Sequence, residues 1–325
     1  MSTGRITAGA ALLARLAAHG IEHVFVNSGT DFPPIIEGMA AARAAGRALP
    51  RAVIAPHEHA AMGMAHGAWL VTGRPQAVLL HTNVGLANAA IGALNAAADG
   101  APILMISGRT PTAESGRMGA RTVPITWGQE MRDQAALVRE SVKWEGELRA
   151  PEELPVLIDR ALAVACSTPS GPAYLSLPRE PLCETLDAAL ADAPPRMAPA
   201  RAGPDPAAVA RAAERNAEAP APVAISQRGL ADPGAFARFA RIATRHAIAV
   251  SSWWATRLAI ATDHPAHVGA DPAPWLGEAD LVLALDALAP WWPDRVSPPA
   301  GARVIQAGPD PLFAGRPMRG FPADL

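Results

Sequence analysis

Short apolar segments alternate with longer amphipathic ones along most of the chain, and this alternation restricts the possible folds more than any other feature. The apolar segments are rich in Val, Ile, Leu or Ala, as is typical of buried strands. In the first half they are residues 21–26, 52–55, 77–81, 103–106 and 173–177. After the third of them, the sequence predicts a turn rich in Gly and Asn and then a helix over residues 87–98. Parallel strands buried on both faces form near-continuous apolar runs, and the helices between them cover those faces. The pattern therefore predicts an α/β fold with a doubly wound parallel sheet.

A second α/β segment follows a stretch rich in proline and alanine. This stretch contains Pro194, Pro195, Pro199, Pro204 and Pro206, and its composition is typical of a linker. Beyond it, strands are predicted at residues 223–226, 248–251, 281–285 and 304–306. We therefore expect a first domain over residues 1–186, a linker over 187–206 and a second domain over 207–325, both domains with doubly wound parallel sheets. A length of 325 residues agrees with two domains of roughly 100–200 residues each.

Charge, hydropathy and cysteine content exclude several classes of protein. A formal net charge of −2 argues against non-specific binding to nucleic acid or to an acidic membrane surface. Residues 1–11 lack the basic start and apolar run of a signal peptide, and no segment has the ~18 consecutive apolar residues of a membrane span. Cys166 and Cys183 form neither a disulfide framework nor a zinc motif. The composition predicts a cytoplasmic protein with reduced thiols.

Polar side chains follow three of the predicted strands, where ligands bind in open parallel sheets. They are residues 27–31 after the first strand, Glu58 after the second and residues 81–83, beginning with His81, after the third. Each has a purely structural alternative. Glu58 would favour a helix N-terminus by ~0.3–1 kcal/mol, and His81 would bind a backbone group. Because these residues are expected to lie together at one edge of the sheet, a functional role for Glu58 and His81 is about as well supported as the structural alternatives.

Metal and nucleotide sites are poorly supported by the same segments. His57, His59 and His66 lie close to Glu58, but the spacing is His-Glu-His rather than the His-Glu-x-x-His of a zinc site. No Gly-x-Gly-x-x-Gly follows a strand, and no P-loop occurs. The sequence therefore predicts no metal ligands in this chain.

An ordered series of motifs resembles the pyrimidine-binding domain of thiamine-diphosphate enzymes, the group that contains acetolactate synthases and benzoylformate decarboxylases. The motifs lie at residues 56–61 (Pro-His-Glu-His-Ala-Ala), 65–67, 72–75, 85–89, 101–103, 107–109, 128–130 and 171–178 (Gly-Pro-Ala-Tyr-Leu-Ser-Leu-Pro). They occur in the family's order over residues 5–183, which makes the series more specific than any single motif. Residues 207–325 resemble the family's central, nucleotide-fold-like domain. The turns after its predicted strands depart from those of the members that bind an adenine cofactor, which argues against FAD or ADP binding.

The resemblance implies a role for each matching residue. Glu58 corresponds to the glutamate that hydrogen-bonds the cofactor's aminopyrimidine ring and so activates it, and His81 corresponds to a histidine that faces the substrate in benzoylformate decarboxylases. Residues matched to cofactor binding are Asn83, Gly85 and Asn88, in addition to Glu58. Residues matched to substrate contact are Asn27, Thr30 and Gln129, with Thr30 in the place of a serine.

The resemblance also implies a part that this sequence lacks. These enzymes hold Mg²⁺ and the diphosphate with a Gly-Asp-Gly motif and a downstream Asn in a third domain, and no segment here matches it. We therefore expect the diphosphate-binding domain to come from a missing C-terminus or from a partner subunit, in a dimer or tetramer. This chain alone is expected to be inactive.

The activity that the resemblance implies is that of a lyase or decarboxylase acting on a 2-oxo acid or 2-hydroxy carbonyl compound. Two alternatives stay open at this point. One is an acetolactate-synthase-like carboligase, and the other is a non-catalytic scaffold subunit of the same fold. Retention of Glu58 argues against the scaffold.

Overall fold

The computed structural model describes residues 4–325, so residues 1–3, with which the predicted first domain begins, lie outside the described residues. The chain forms two compact units, one ending at Arg201 and one running from Ala202 to Leu325. Each contains its own parallel sheet with helices, and each is described separately below. The predicted fold class is confirmed.

The first unit contains a parallel sheet of six strands. Its elements in chain order are β1 (Arg5–Thr7), α1 (Ala8–Ala18), β2 (His23–Asn27), α2 (Pro33–Ala44), β3 (Arg51–Ile54), α3 (Glu58–Thr72), β4 (Gln76–Leu80), α4 (Thr82–Asp99), β5 (Ile103–Arg109), α5 (Ile125–Gly128), β6 (Glu145–Glu147), α6 (Leu154–Cys166), β7 (Ala173–Pro178), α7 (Arg179–Cys183), β8 (Thr185–Asp187) and α8 (Ala188–Asp192). The strand order is β3-β2-β4-β5-β7-β6, and β1 pairs with β8 in a separate antiparallel ribbon.

Alternate residues of the central strands point to two separate cores. On β4, Ala77 and Leu79 pack in the core that contains α1 and α6, whereas Val78 and Leu80 pack in the core that contains α3 and α4. All four side chains are at most 3% exposed. Because both faces are buried, these strands are near-continuous runs of apolar residues, which is why the sequence pattern predicted them.

A buried ion pair links the helices of the first core. Arg15 of α1 donates through Nε to Asp159 of α6 at 2.6 Å, and His19 Nε2 lies 2.8 Å from the same carboxylate. The side chains of Arg15 and Asp159 are 3% and 4% exposed. Burial raises the pKa of Asp159, but the hydrogen bonds from Arg15 and His19 outweigh it, and the pKa is lowered.

Helix α4 begins earlier than the sequence predicted. Residues 82–86 were expected to form a turn rich in Gly and Asn before a helix at residue 87, but Gly85 already donates its backbone N–H to the His81 carbonyl at 2.8 Å. Thr82 opens the helix with a φ of +41° and a buried side chain. Such a φ is uncommon for a residue with a β-carbon and occurs mostly at functional sites.

The second unit has a parallel sheet of four strands in the order β10-β9-β11-β12. Its elements are α9 (Pro206–Glu218), β9 (Pro222–Ser226), α10 (Pro233–Arg245), β10 (Ala249–Ser251), α11 (Ala273–Leu276), β11 (Leu281–Leu285) and β12 (Arg303–Ala307). Val223, Val282 and Val304 of the sheet share one core with Trp291, which meets Phe321 edge to face at 5.1 Å between ring centroids.

The linker prediction requires a correction over residues 187–192. Asp187 ends β8, and α8 follows with Ala188 and Ala191 fully buried. The division between the two units falls after Arg201. Alanine is small enough to pack against α1 without a long apolar side chain, so composition alone could not separate this packed helix from a linker.

Two structural observations concern membrane-spanning helices and the two cysteines. Within residues 4–325, no helix is both long and apolar enough to cross a membrane. Cys166 and Cys183 are free thiols, and burial raises the pKa of both.

Candidate functional site

The carboxyl ends of β2, β4 and β5 form one edge of the first sheet, and the chemically interesting side chains gather there. β2 lies between β3 and β4, so the segment after β2 is adjacent to the start of α4 although β3 and α3 separate them in the chain. In the pairing of β2 with β4, Asn27 lies beside Leu80, and His81 is the next residue of the chain after Leu80. The edge therefore combines segments that are distant in sequence, as expected for a binding crevice in an open α/β sheet.

Glu58 occupies the first position of α3, directly after β3. His57 caps this helix by accepting the N–H of His59 on Nδ1 at 3.1 Å. The Glu58 residue is only 8% exposed, and Asn88 of α4 donates its Nδ2 to Oε2 at 3.0 Å. A β-carbon on Gly85 would lie 3.2 Å from Oε1. The glycine thus leaves room for a carboxylate that its neighbours hold in one orientation.

His81 and Asp31 form a tightly bonded pair at the same edge. His81 Nδ1 and Asp31 Oδ1 are 2.5 Å apart, and the two side chains are 17% and 5% exposed. Two glycines make the space for this pair. A β-carbon on Gly29 would lie 2.2 Å from Cγ and Nδ1 of the His81 ring, and one on Gly108 would lie 1.5 Å from Asp31 Oδ2.

The surroundings of His81 favour its protonated form. Its pKa is raised above the ordinary value of 6.5, mainly because of the hydrogen bond with Asp31. Burial of the ring opposes this effect, while the negative charges of Asp31 and Glu58 add to it. An imidazole with a raised pKa at a strand end is suited to hold or release a proton near neutral pH.

Gln129 approaches the other nitrogen of His81. Its side-chain Nε2 atom lies 3.5 Å from His81 Nε2. The adjacent Glu130 accepts a hydrogen bond from Thr110 at 3.0 Å and also binds Arg121, which anchors this part of the chain to the end of β5. Gln129, which the resemblance matched to substrate contact, thus lies beside the His81 ring.

Three other predicted residues have different surroundings. Asn27 donates its amide to the Ala55 carbonyl at 2.9 Å, so it ties the ends of β2 and β3 together. Thr30 is exposed, and its carbonyl accepts a hydrogen bond from Arg179 at 3.1 Å. Asn83 lies in the first turn of α4 and accepts a 3.4 Å contact from the Thr82 hydroxyl. Among the described residues, the hydrogen bonds of Asn27, Thr30 and Asn83 do not reach Glu58 or His81.

The histidines around Glu58 have structural partners. His57 caps α3, and His66 Nε2 lies 3.1 Å from Asp99 Oδ2. Over the described range 4–325, no group of three or more His, Cys, Asp or Glu side chains could hold a metal ion. A metal-binding role for these histidines has no support from the geometry.

Sequence reasoning missed Asp31 and Arg179 as contributors to this edge. Asp31 belonged to the predicted cluster at residues 27–31 but was not selected. It could have been found from its sequence position, because Asp31 is an acidic residue that follows β2, and β2 is the neighbour of β4. Arg179 is 8% exposed and donates to the carbonyls of Thr30, Gly119 and Ala120, so it links two loops at this edge.

Comparison with known proteins identifies the first unit. Residues 6–137 match the family model for the N-terminal TPP binding domain of thiamine pyrophosphate enzymes. These residues therefore carry the N-terminal TPP binding domain of the thiamine pyrophosphate enzymes.

Relatives of this family match along nearly the whole chain. The chain is 31% identical to the probable 2-ketoarginine decarboxylase of Pseudomonas aeruginosa over 94% of its own length and 53% of that protein. It is 27% identical to benzoylformate decarboxylase of the same organism, over 94% of this chain and 57% of the relative. A solved structure, the thiamine diphosphate-dependent 4-hydroxybenzoylformate decarboxylase of Rhodococcus jostii, superposes with a TM-score of 0.73 at 25% identity, covering 92% of this chain and 56% of that one.

The chain thus spans about half the length of the relatives it matches. The edge of the first sheet fits the aminopyrimidine part of thiamine diphosphate on two observations. Glu58 presents a nearly buried carboxylate, and the space above it would be filled by a β-carbon at Gly85. Metal ligands for the diphosphate part are a separate requirement, and the described residues include no group of side chains that meets it.

Proposed function

We propose that this chain is the pyrimidine-binding half of a thiamine-diphosphate-dependent lyase that decarboxylates a 2-oxo acid. The diphosphate-binding domain and its Mg²⁺ would come from a further segment or from a partner subunit, in a dimer or tetramer. The observation that carries the proposal is the carboxylate of Glu58, buried at the start of α3 and oriented by Asn88. A purely structural helix-end carboxylate needs neither burial nor a glycine beside it.

Glu58 would act on the cofactor's ring nitrogen through a hydrogen bond. In a site of low dielectric such a bond is stronger than in water, and a carboxylate that shares a proton with the ring stabilises its protonated form. When bound, thiamine diphosphate supplies a carbon nucleophile and an electron sink for the carboxylate-bearing carbon. Asn88 and Gly85 keep Glu58 in place for this contact.

His81 would handle the proton that the overall reaction requires. Conversion of a 2-oxo acid to an aldehyde and CO₂ consumes one proton, which replaces the lost carboxylate on the carbonyl carbon. The Nδ1 of His81 is engaged by Asp31, so Nε2 is the atom that can give or take a proton at the edge of the sheet. The presence of His81 favours decarboxylation over the carboligase alternative, because the resemblance places this histidine in decarboxylases.

The experiment is a Glu58→Gln substitution tested in the assembled enzyme. The chain is co-expressed with the polypeptide that carries Gly-Asp-Gly from the same or the adjacent reading frame, and CO₂ release is measured across a panel of aliphatic, aromatic and guanidino 2-oxo acids. We expect Glu58→Gln to lower kcat by at least ~10²-fold while the far-UV circular dichroism stays unchanged.

Glu153→Gln is the matched control, since Glu153 also lies at a helix start but is exposed. It should change kcat little. Turnover of Glu58→Gln near that of the unmodified chain would overturn the role of Glu58. Formation of acetolactate from pyruvate without aldehyde release would favour the carboligase, and no turnover of any 2-oxo acid would favour a scaffold.

A further inference from the structure

We propose that Asp31 is a positioning residue, which holds the His81 ring with Nδ1–H directed at its carboxylate and Nε2 directed at the substrate side of the sheet edge. No feature of the sequence motifs assigned a role to Asp31. For its catalytic meaning the inference rests on the proposed function. The orientation of the ring itself can be tested without any activity.

The first argument is that the protein provides a fitted space for this pair. Asp31 is 5% exposed, and its Oδ1 is 2.5 Å from His81 Nδ1. Gly108 on β5 leaves room for the carboxylate, and Gly29 leaves room for the ring, since a β-carbon at either position would overlap the pair. Two separate segments therefore lack side chains at the points where the dyad needs space.

The second argument concerns the hydrogen bonds that the ring can make. An ionised carboxylate can accept hydrogen bonds but cannot donate them, so its contact with His81 requires a proton on Nδ1. The side-chain amide of Gln129, 3.5 Å from Nε2, can serve either protonation state: its NH₂ can donate to a bare Nε2, and after rotation its oxygen can accept from Nε2–H. Proton exchange is thereby confined to Nε2.

The third argument is the set of charges around the ring. The ionisable groups that face His81 are Asp31 of the loop after β2 and Glu58 of α3, and both favour the charged ring. The guanidinium groups nearby are already engaged: Arg109 binds Glu147 at 2.9 Å, and Arg179 binds backbone carbonyls. The carboxylate of Asp31 is therefore the strongest influence on when the ring loses its proton.

A carboxylate bonded to the far nitrogen of a histidine fixes the tautomer and stabilises the imidazolium, as in the catalytic triads of hydrolases. Here this arrangement would keep one proton permanently on Nδ1. The second proton, on Nε2, would be the one exchanged with the substrate. Because Asp31 acts through His81, its effect should be on the pH dependence and on kcat more than on KM.

The test is histidine NMR on the full chain labelled with ¹³C and ¹⁵N in its histidines, with the His81 signals assigned from a His81→Gln variant. Above its pKa, the unmodified chain should show the tautomer with the proton on Nδ1. In Asp31→Asn the pKa of His81 should fall by roughly 1–3. Asp99→Asn, which alters the separate pair of His66 and Asp99, is the control and should leave the His81 titration unchanged.

A predominant Nε2–H tautomer in the unmodified chain would overturn the proposal, and so would an unchanged His81 titration in a folded Asp31→Asn. Should Asp31→Asn fail to fold, the tautomer measurement on the unmodified chain still decides. In the assembled enzyme, where the protonated His81 would supply the proton, Asp31→Asn should move the alkaline limb of the kcat/KM profile to lower pH and reduce kcat by ~10²–10⁴-fold with little change in KM. Full activity of His81→Gln would refute the proposed role of His81 while leaving the tautomer result intact, so the two failures are distinguishable.

Discussion

Replacing Gly29 by Ala tests the geometry of the dyad from the opposite side. The new β-carbon would lie 2.2 Å from Cγ and Nδ1 of His81 and 2.7 Å from Cδ2. Since non-bonded carbon atoms settle at about 3.5–4.0 Å, the ring must retreat by roughly 1.5 Å. Its bond to Asp31 starts at 2.5 Å, and a displacement of that size along the bond takes it beyond hydrogen-bonding distance.

The expected loss of stability has two components. Forcing a methyl group into a filled space costs about 1–3 kcal/mol. Leaving the nearly buried Asp31 without its donor costs a further ~1–3 kcal/mol, so the free energy of unfolding should fall by about 2–6 kcal/mol in all.

The second component depends on pH. Because the folded state raises the pKa of His81 above 6.5, the charged pair contributes its full stability below that value. The contribution is lost as pH rises through the folded pKa. Gly29→Ala should therefore destabilise the chain more at about pH 5.5 than at about pH 9, while the steric component is the same at both.

The assay is urea unfolding followed by circular dichroism at the two pH values, together with the His81 NMR titration. Gly63→Ala is the matched control, because Gly63 lies in α3 with nothing near its β-carbon position. Alanine there should stabilise the helix by up to ~1 kcal/mol at either pH. Equal stability of Gly29→Ala and the unmodified chain at both pH values, with an unchanged His81 titration, would refute the reasoning.

Two further substitutions test other parts of the first unit. Gly85→Ala would place a β-carbon 3.2 Å from Glu58 Oε1, so the carboxylate must shift by a few tenths of an ångström. We therefore expect calorimetry to show weaker binding of thiamine diphosphate by the assembled enzyme. Gly67→Ala is the control, because nothing lies near the β-carbon position of Gly67. Asp159→Ala removes the partner of buried Arg15 and should destabilise the chain by about 3–5 kcal/mol in urea unfolding. Since the pKa of Asp159 is lowered in the folded chain, its ion pair contributes above the normal pKa of ~4 and is lost as pH falls through the folded value, so the deficit should shrink in acid.

Much of the first unit was predictable because local patterns carry it. Strands β4, β5 and β7 are buried on both faces, so they consist mainly of apolar residues and stand out from the helices between them. The pair β1 and β8 was not predicted, because strands of three residues have no periodicity to detect. The start of α4 was placed too late because Gly85 and the asparagines around it are typical of turns, whereas here they lie in the helix.

The sequence by itself determined that Glu58 begins a helix and that His81 lies at the end of a strand segment, directly after the last residue of β4 in the structure, since both positions follow from hydrophobic patterns within a few residues of each. Only the tertiary structure decided what lies beside them. The sheet order places β2 next to β4, and this brings Asp31 beside His81 although the two residues are 50 positions apart in the chain. Gly29 and Gly108 have meaning only once that contact exists. Contacts between remote segments depend on strand order and register, and local sequence patterns do not encode these.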